Sequence, residues 1–134
     1  MPAEPMLFPP RPLRDVQARH LRQAGGCGGG AAIVTVDFEP CTGPTRFELT
    51  LPDDVRFRFG PAGGDEDYRE VFSLLEALDE GLREVLAEDG RITVHCRAVL
   101  RSMVVHPVDS HPRAFREAGR LAARKALEQV FGTS

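Results

Sequence analysis

Three groups of residues in this chain carry side chains of the kinds that do chemistry. His106, Asp109, Ser110 and His111 include every member of a Ser-His-Asp set. Such a set needs a nucleophile, a base and an orienting acid that converge from separate parts of a fold. Here they fall in one short stretch, without the G-x-S-x-G elbow that exposes a nucleophilic serine. Asp109 or Ser110 reads instead as the cap of a following helix, where a side-chain oxygen accepts from an orphan backbone N–H. His95, Cys96, His106 and His111 are metal-ligand types, but His95 and Cys96 are adjacent in an extended run and point to opposite faces. Gly26-Cys27-Gly28-Gly29-Gly30-Ala31 fits G-x-G-x-x-[G/A]. Phosphate binding by that pattern needs a strand before the loop and a helix after it. A proline-rich stretch precedes this loop and a strand pattern follows. No G-x-x-x-x-G-K-[ST] occurs, so the chain is no P-loop GTPase. The expectation is a non-enzyme with no catalytic residues, no metal, no cofactor and no nucleotide.

What remains is arginine. Alternation along the strands puts Arg46, Arg56, Arg58 and Arg97 on one sheet face, with Thr35, Thr93 and His95. The guanidinium fork suits phosphate. Base stacking has little to work with, because Tyr68 is the only Tyr, there is no Trp, and the Phe residues take core positions. Contact with the backbone of folded RNA is the form of binding such a face supports. The net charge of −3 hides two opposed blocks: residues 53–90 carry four bases and twelve acids, and residues 91–134 carry eight bases and three acids. The folded surface is expected to be polarised, with an acidic helix over 65–89 able to meet a basic protein partner.

The elements that must position these groups follow from periodicity. Val34, Val36 and Phe38 alternate with Ile33, Thr35 and Asp37 across 32–38. Phe47, Leu49 and Leu51 alternate across 45–51, and Val55, Phe57 and Phe59 across 55–59. Each is a half-buried strand pattern. Val71, Leu74, Leu75, Leu78, Leu82, Val85 and Leu86 mark an amphipathic helix of about 20 residues ending near Gly90. A fourth strand covers 91–99 or slightly beyond. A second helix, capped at Asp109 or Ser110 and with Pro112 in its first turn, runs to about Phe131. Its stripe of Ala118, Ala122 and Ala126 implies close approach to the sheet. The order β-β-β-α-β-α gives an α+β two-layer sandwich, one four-stranded sheet with both helices on one face.

Five prolines among the first 15 residues predict an extended or disordered tail over 1–17, followed by one domain over 18–134. A length of 134 residues suits a single domain. Three unpaired-looking cysteines argue against a disulfide framework. No apolar run approaches the roughly 20 residues of a membrane span, and the N-terminus lacks the order of a signal peptide. No membrane partner is expected, and the default location is cytoplasmic.

Three segments resemble the fourth domain of translation elongation factor G and its relatives. His20-Leu21-Arg22-Gln23-Ala24-Gly25-Gly26-Cys27-Gly28 is similar to H-x-R-Q-S-G-G-R-G, and Val34 to Pro40 to the strand that follows it in the family. Ala77-Leu78-Asp79-Glu80-Gly81-Leu82 resembles A-V-x-x-G-[IV] of the family's first helix. His106-Pro107-Val108-Asp109-Ser110-His111, followed by Ala114-Phe115, Ala118 and Ala122-Ala123, resembles H-x-V-D-S-S…A-F…A…A in order and spacing. Cys27 stands where the family has Arg, Gly29 where it has Gln, and His111 in place of the second Ser.

The resemblance implies a left-handed β-α-β crossover, an exception to the usual hand. It implies a domain tip built from Gly25, Gly26, Cys27, Gly28, His106, Val108, Asp109 and Ser110. In the family that tip reaches the small ribosomal subunit. The expected function is a non-catalytic module contacting the ribosome or structured RNA in translation, standing without its GTPase. The alternative is a protein-interaction or assembly module that keeps the fold without the RNA role.

Overall fold

The computed structural model describes residues 6–22, 30–44, 46–53, 55–59, 67–105 and 112–132. Seven strands and two helices occur among them, in the order β1 (Met6–Phe8), β2 (Leu13–Arg22), β3 (Gly30–Pro40), β4 (Phe47–Thr50), β5 (Arg56–Phe59), α1 (Asp67–Leu86), β6 (Ile92–Val94), β7 (Cys96–Val105) and α2 (Pro112–Phe131). The fold is an α+β two-layer sandwich. Its main sheet runs β2-β3-β7, with β4 and β5 both paired to β7 on the far side. β4 takes Cys96–Val99 and β5 takes Ser102–Val105, both in parallel, so the two short strands share one edge end to end. Four strand positions result, as expected. Which strands fill them differs, because a period-two pattern fixes a strand's faces and leaves its neighbours open.

The expected tail over residues 1–17 is corrected for its described part: residues 6–17 form β1 and half of β2. β1 lies parallel to β6. Met6 N donates to Arg91 O at 3.1 Å, and His95 N donates to Phe8 O at 3.0 Å. The prolines do not prevent this, because Pro9, Pro10 and Pro12 occupy the turn between the two strands, where a missing donor is tolerated. Phe8, Leu13 and Val16 are buried, and Phe8 packs edge-on to Phe38 at 5.8 Å. Full burial of each such side chain contributes roughly 1.5–3 kcal/mol, which together with the strand pairing works against the entropy of ordering the segment.

The core lies between the sheet and the helices. Val34, Val36 and Phe38 of β3 meet Met103, Leu100 and Ala98 of β7 in register. Ala114, Phe115, Ala118, Ala122, Ala123 and Ala126 of α2 are buried on that face, and Lys125 Nζ ties α2 to Gln17 O of β2 at 2.7 Å. Leu74, Leu78, Leu82, Val85 and Leu86 of α1 complete the cluster. The helices run parallel, since Glu84 meets Arg116 and Arg120 while Glu88 meets Arg120 and Arg124 one turn on. They touch through glycine. A Cβ on Gly81 would collide with the Arg116 carbonyl, and one on Gly119 with the Leu78 carbonyl. Both helices end near their expected residues.

Candidate functional site

β7 is antiparallel to β3, which is antiparallel to β2, while β5 is parallel to β7. In register, Arg22 stands opposite Gly30, Ile33 opposite Val104, and Phe59 opposite Val105. The ends of β2, β5 and β7 and the start of β3 therefore lie at one end of the sheet. Gly25, Gly26, Cys27, Gly28, His106, Val108, Asp109 and Ser110 lie outside the described residues. The strand ends from which their segments depart, Arg22 with Gly30 and Val105, stand together at this end of the sheet.

Of the four arginines expected on a sheet face, Arg56 and Arg58 stand on β5 in register with Ser102 and Val104. Arg46 is exposed just before β4, and its carbonyl accepts from Cys96 N at 2.8 Å. Arg97 has a carboxylate partner: its Nε donates to Glu48 Oε1 at 2.7 Å, and Glu39 stands opposite it on β3. Hydrogen bonding to Glu48, then the charge of that carboxylate, raise the Arg97 pKa. As a phosphate contact, Arg97 would have to exchange an ion pair it already holds.

The acidic helix is likewise engaged within the chain. Arg116 Nη2 meets Glu84 Oε1 at 2.6 Å, Arg120 Nη1 meets Glu84 Oε2 at 3.1 Å, and Arg124 Nη2 meets Glu88 Oε1 at 3.8 Å. Arg83 bonds Asp79 at 2.8 Å and lies 4.8 Å above the Phe47 ring, binding α1 to β4. The two opposed charge blocks of the sequence thus meet along the α1–α2 seam.

Sequence reasoning misses Asp37. Alternation puts it on the wet face of its strand, yet it is 3% exposed, the one buried charged side chain among the described residues. Its Oδ1 accepts from Asp15 N at 2.8 Å, its Oδ2 accepts from Arg101 Nε at 2.8 Å, and Arg14 Nη1 lies 3.7 Å away. Each neighbouring strand bulges beside it. Between Leu13 and Val16 the β2 register shifts, with Asp15 at φ 57°, a left-handed conformation that Asp tolerates better than most residues. The β3–β7 register shifts between Thr35 and Val36, leaving Arg101 as the extra residue. Both bulges have a cause. Unbroken alternation from Leu13 would turn Asp15 and Gln17 inward, and from Ala98 and Leu100 would turn Ser102 inward. One extra residue per strand restores Val16, Ala18 and Met103 to the core. The signal is in the sequence: apolar residues three apart, Leu13 to Val16 and Leu100 to Met103, inside runs that otherwise alternate.

On the inner side of β7, burial pushes the Cys96 thiol up to about 12, reinforced by Cys41 nearby. No cluster of metal-binding side chains occurs among the described residues. No helix among them is long and apolar enough to cross a membrane.

Fold and site together define a small sheet with helices on one face and three strand-to-element connections leaving one end. The chain matches no family model. Among solved structures, it is similar to the crystal structure of ttk003000868 from Thermus thermophilus, with a TM-score of 0.59 and 21% identity over 96% of this chain. The likeness is one of fold. This chain spans 18% of that protein's length.

Proposed function

We propose that this chain is a non-catalytic binding module similar to the fourth domain of elongation factor G, contacting the small ribosomal subunit or structured RNA in translation. The contact is made through the segments leaving the end of the sheet where Arg22, Gly30 and Val105 stand, here the contact end, with Gly25–Gly28, His106, Val108, Asp109 and Ser110 as contact residues. The observation that supports this best is the convergence of Arg22, Gly30 and Val105 at one end of the sheet. Two motifs far apart in sequence, each resembling a family segment, thereby depart from one place. Arg56 and Arg58 belong to β5, which runs to the same end of the sheet. The finer assignment to translation rests on the three motifs and their order.

Cosedimentation of the purified protein with ribosomal small subunits, at low and moderate salt, tests the proposal. Saturable binding that weakens with salt, as phosphate contacts require, and that falls on changing His106 and Asp109 to Ala, is expected. No binding at either salt by well-folded protein would sink it.

A further inference from the structure

Asp37 sits where nothing in the proposed contact requires a charge. Its carboxylate is buried on β3, away from the contact end, and it holds two different strands by one oxygen each: the Asp15 amide in the β2 bulge and the Arg101 guanidinium in the β7 bulge. A bulge bends its strand and increases local twist. The segments beyond these two bulges are Val16–Arg22 and Ser102–Val105, which pair with the first part of β3 and run to the contact end. The direction in which Arg22, Gly30 and Val105 are presented is therefore set at Asp37. A buried ion pair contributes little net stability compared with a well-packed apolar replacement. What it fixes here is the relation between two bends that apolar packing alone would leave free to vary.

We propose that Asp37 is a positioning residue: by joining the β2 and β7 bulges through one carboxylate, it fixes the orientation of the strand ends that carry the contact segments. This rests on the proposed function for what is contacted, but not for the mechanical part. Asp37→Asn keeps the size and an acceptor while removing the charge. Arg101→Leu removes the partner on β7 and leaves Asp37 in place. Leu78→Ala serves as a control that destabilises the α1 side of the core without touching either bulge.

Amide hydrogen exchange and small-subunit cosedimentation are measured on the full chain at a temperature where all variants are folded. In Asp37→Asn and Arg101→Leu, paired amides of Val16–Leu21 and Ser102–Val104 exchange roughly tenfold faster, the scale of one lost charge-assisted hydrogen bond. The amides of α1 and α2 do not change. Affinity for small subunits falls by a similar factor, whereas Leu78→Ala lowers Tm and leaves the affinity of folded protein intact. Faster exchange spread evenly over sheet and helices would overturn the proposal, as would selective exchange with unchanged affinity. Should Asp37→Asn fail to fold, Arg101→Leu carries the same comparison. Should wild-type protein not bind small subunits, the proposed function fails by itself, and the exchange pattern alone upholds or overturns the positioning role.

Discussion

Arg97 and Arg101 lie on one strand, and each donates from Nε to a carboxylate, at 2.7 and 2.8 Å. By distance the two pairs are equivalent. Their surroundings separate them: the Glu48 side chain is 42% exposed and that of Asp37 is 4% exposed. Water and salt can replace Arg97 at Glu48 at little cost, since exposed ion pairs are screened and entropically loose. Asp37 is closed to water, its only other cation among the described residues is the more distant Arg14 at 3.7 Å, and its other oxygen is already committed to the Asp15 amide. The Arg97 pair decorates the sheet, and the Arg101 pair shapes it. Acceptor burial, more than bond length, decides which arginine of β7 matters to the structure.

The largest effect should appear on the strand's inner side, at Cys96. Its thiol is raised from 9.0 to about 12 by burial, which lowers the thiolate fraction at pH 8 by about a thousandfold. Labelling of Cys96 by a thiol reagent, followed by peptide mass mapping, should be slower by about that factor in folded than in urea-unfolded protein. The same shift has a definite sign for stability. Below the ordinary pKa both states hold the proton and nothing changes with pH. From there to about 12 only the unfolded chain releases it, so this thiol's contribution falls as pH rises through that window. Cys96→Ala should flatten that part of the alkaline unfolding curve. Equal labelling rates in both states would mean that β7 opens to water on its helix side, and the contrast between its two faces would fail.

Next comes Asp37→Ala, which leaves Arg101 without this carboxylate and the Asp15 amide without its acceptor. Loss of one partner of a buried pair typically costs more than loss of both. Because Arg101 is partly exposed, about 2–4 kcal/mol is expected, read as a fall in urea midpoint. A double change with Arg101→Leu should cost less than the sum of the two single changes. Strict additivity would show that the two groups do not act as a unit.

The helices are the most legible part of the sequence. Seven apolar residues from Val71 to Leu86 repeat along one face, and the alanines of the second helix mark its buried face. Strand faces are legible too for β3 and β4, whose Val34, Val36 and Phe38, and Phe47 and Leu49, pack on the core. Neighbours are not, because alternation says which side of a strand is wet and nothing about what lies beside it. Residues 6–17 read as a tail because proline content outweighs Phe8, Leu13 and Val16, three apolar residues spread too thinly to look periodic. Asp37 escapes for a subtler reason. It alternates with the core residues Val36 and Phe38, and is buried all the same, beside a bulge in each neighbouring strand. Broken alternation at Leu13–Val16 and Leu100–Met103 announces those bulges, but only pairing shows that both fall beside the same carboxylate.

A smaller effect separates the sheet from the helix seam. At Gly119 an added Cβ meets the Leu78 carbonyl and the Leu82 amide nitrogen, backbone atoms that cannot rotate away. Gly119→Ala must push α1 and α2 apart, and a cost of about 1–3 kcal/mol is expected from overpacking of this kind. Because α2 also packs on β2 and β3, the displacement is borne mainly by α1. Thermal unfolding gives the cost. Near-ultraviolet circular dichroism of the eight Phe and one Tyr, five of the nine outside α1 and α2, should change little. A stabilised Gly119→Ala would show that the helices already stand further apart than the glycine contact indicates.

The smallest effect is the one that closes the comparison. Arg97→Ala removes an ion pair with a bond shorter than that of Arg101, together with its side-chain contact to Glu48. Glu48 is left half in solvent and rehydrates, and no buried carboxylate loses a partner with it. The urea midpoint should therefore stay within experimental error of wild type, at low and at high salt alike. Arg101→Ala, measured beside it, should shift the midpoint clearly, and high salt should not abolish the shift, because Asp37 is out of reach of counterions. Equal losses for the two arginines would mean that bond geometry outweighs acceptor burial along β7, and Asp37 would lose its claim to set the direction of the sheet.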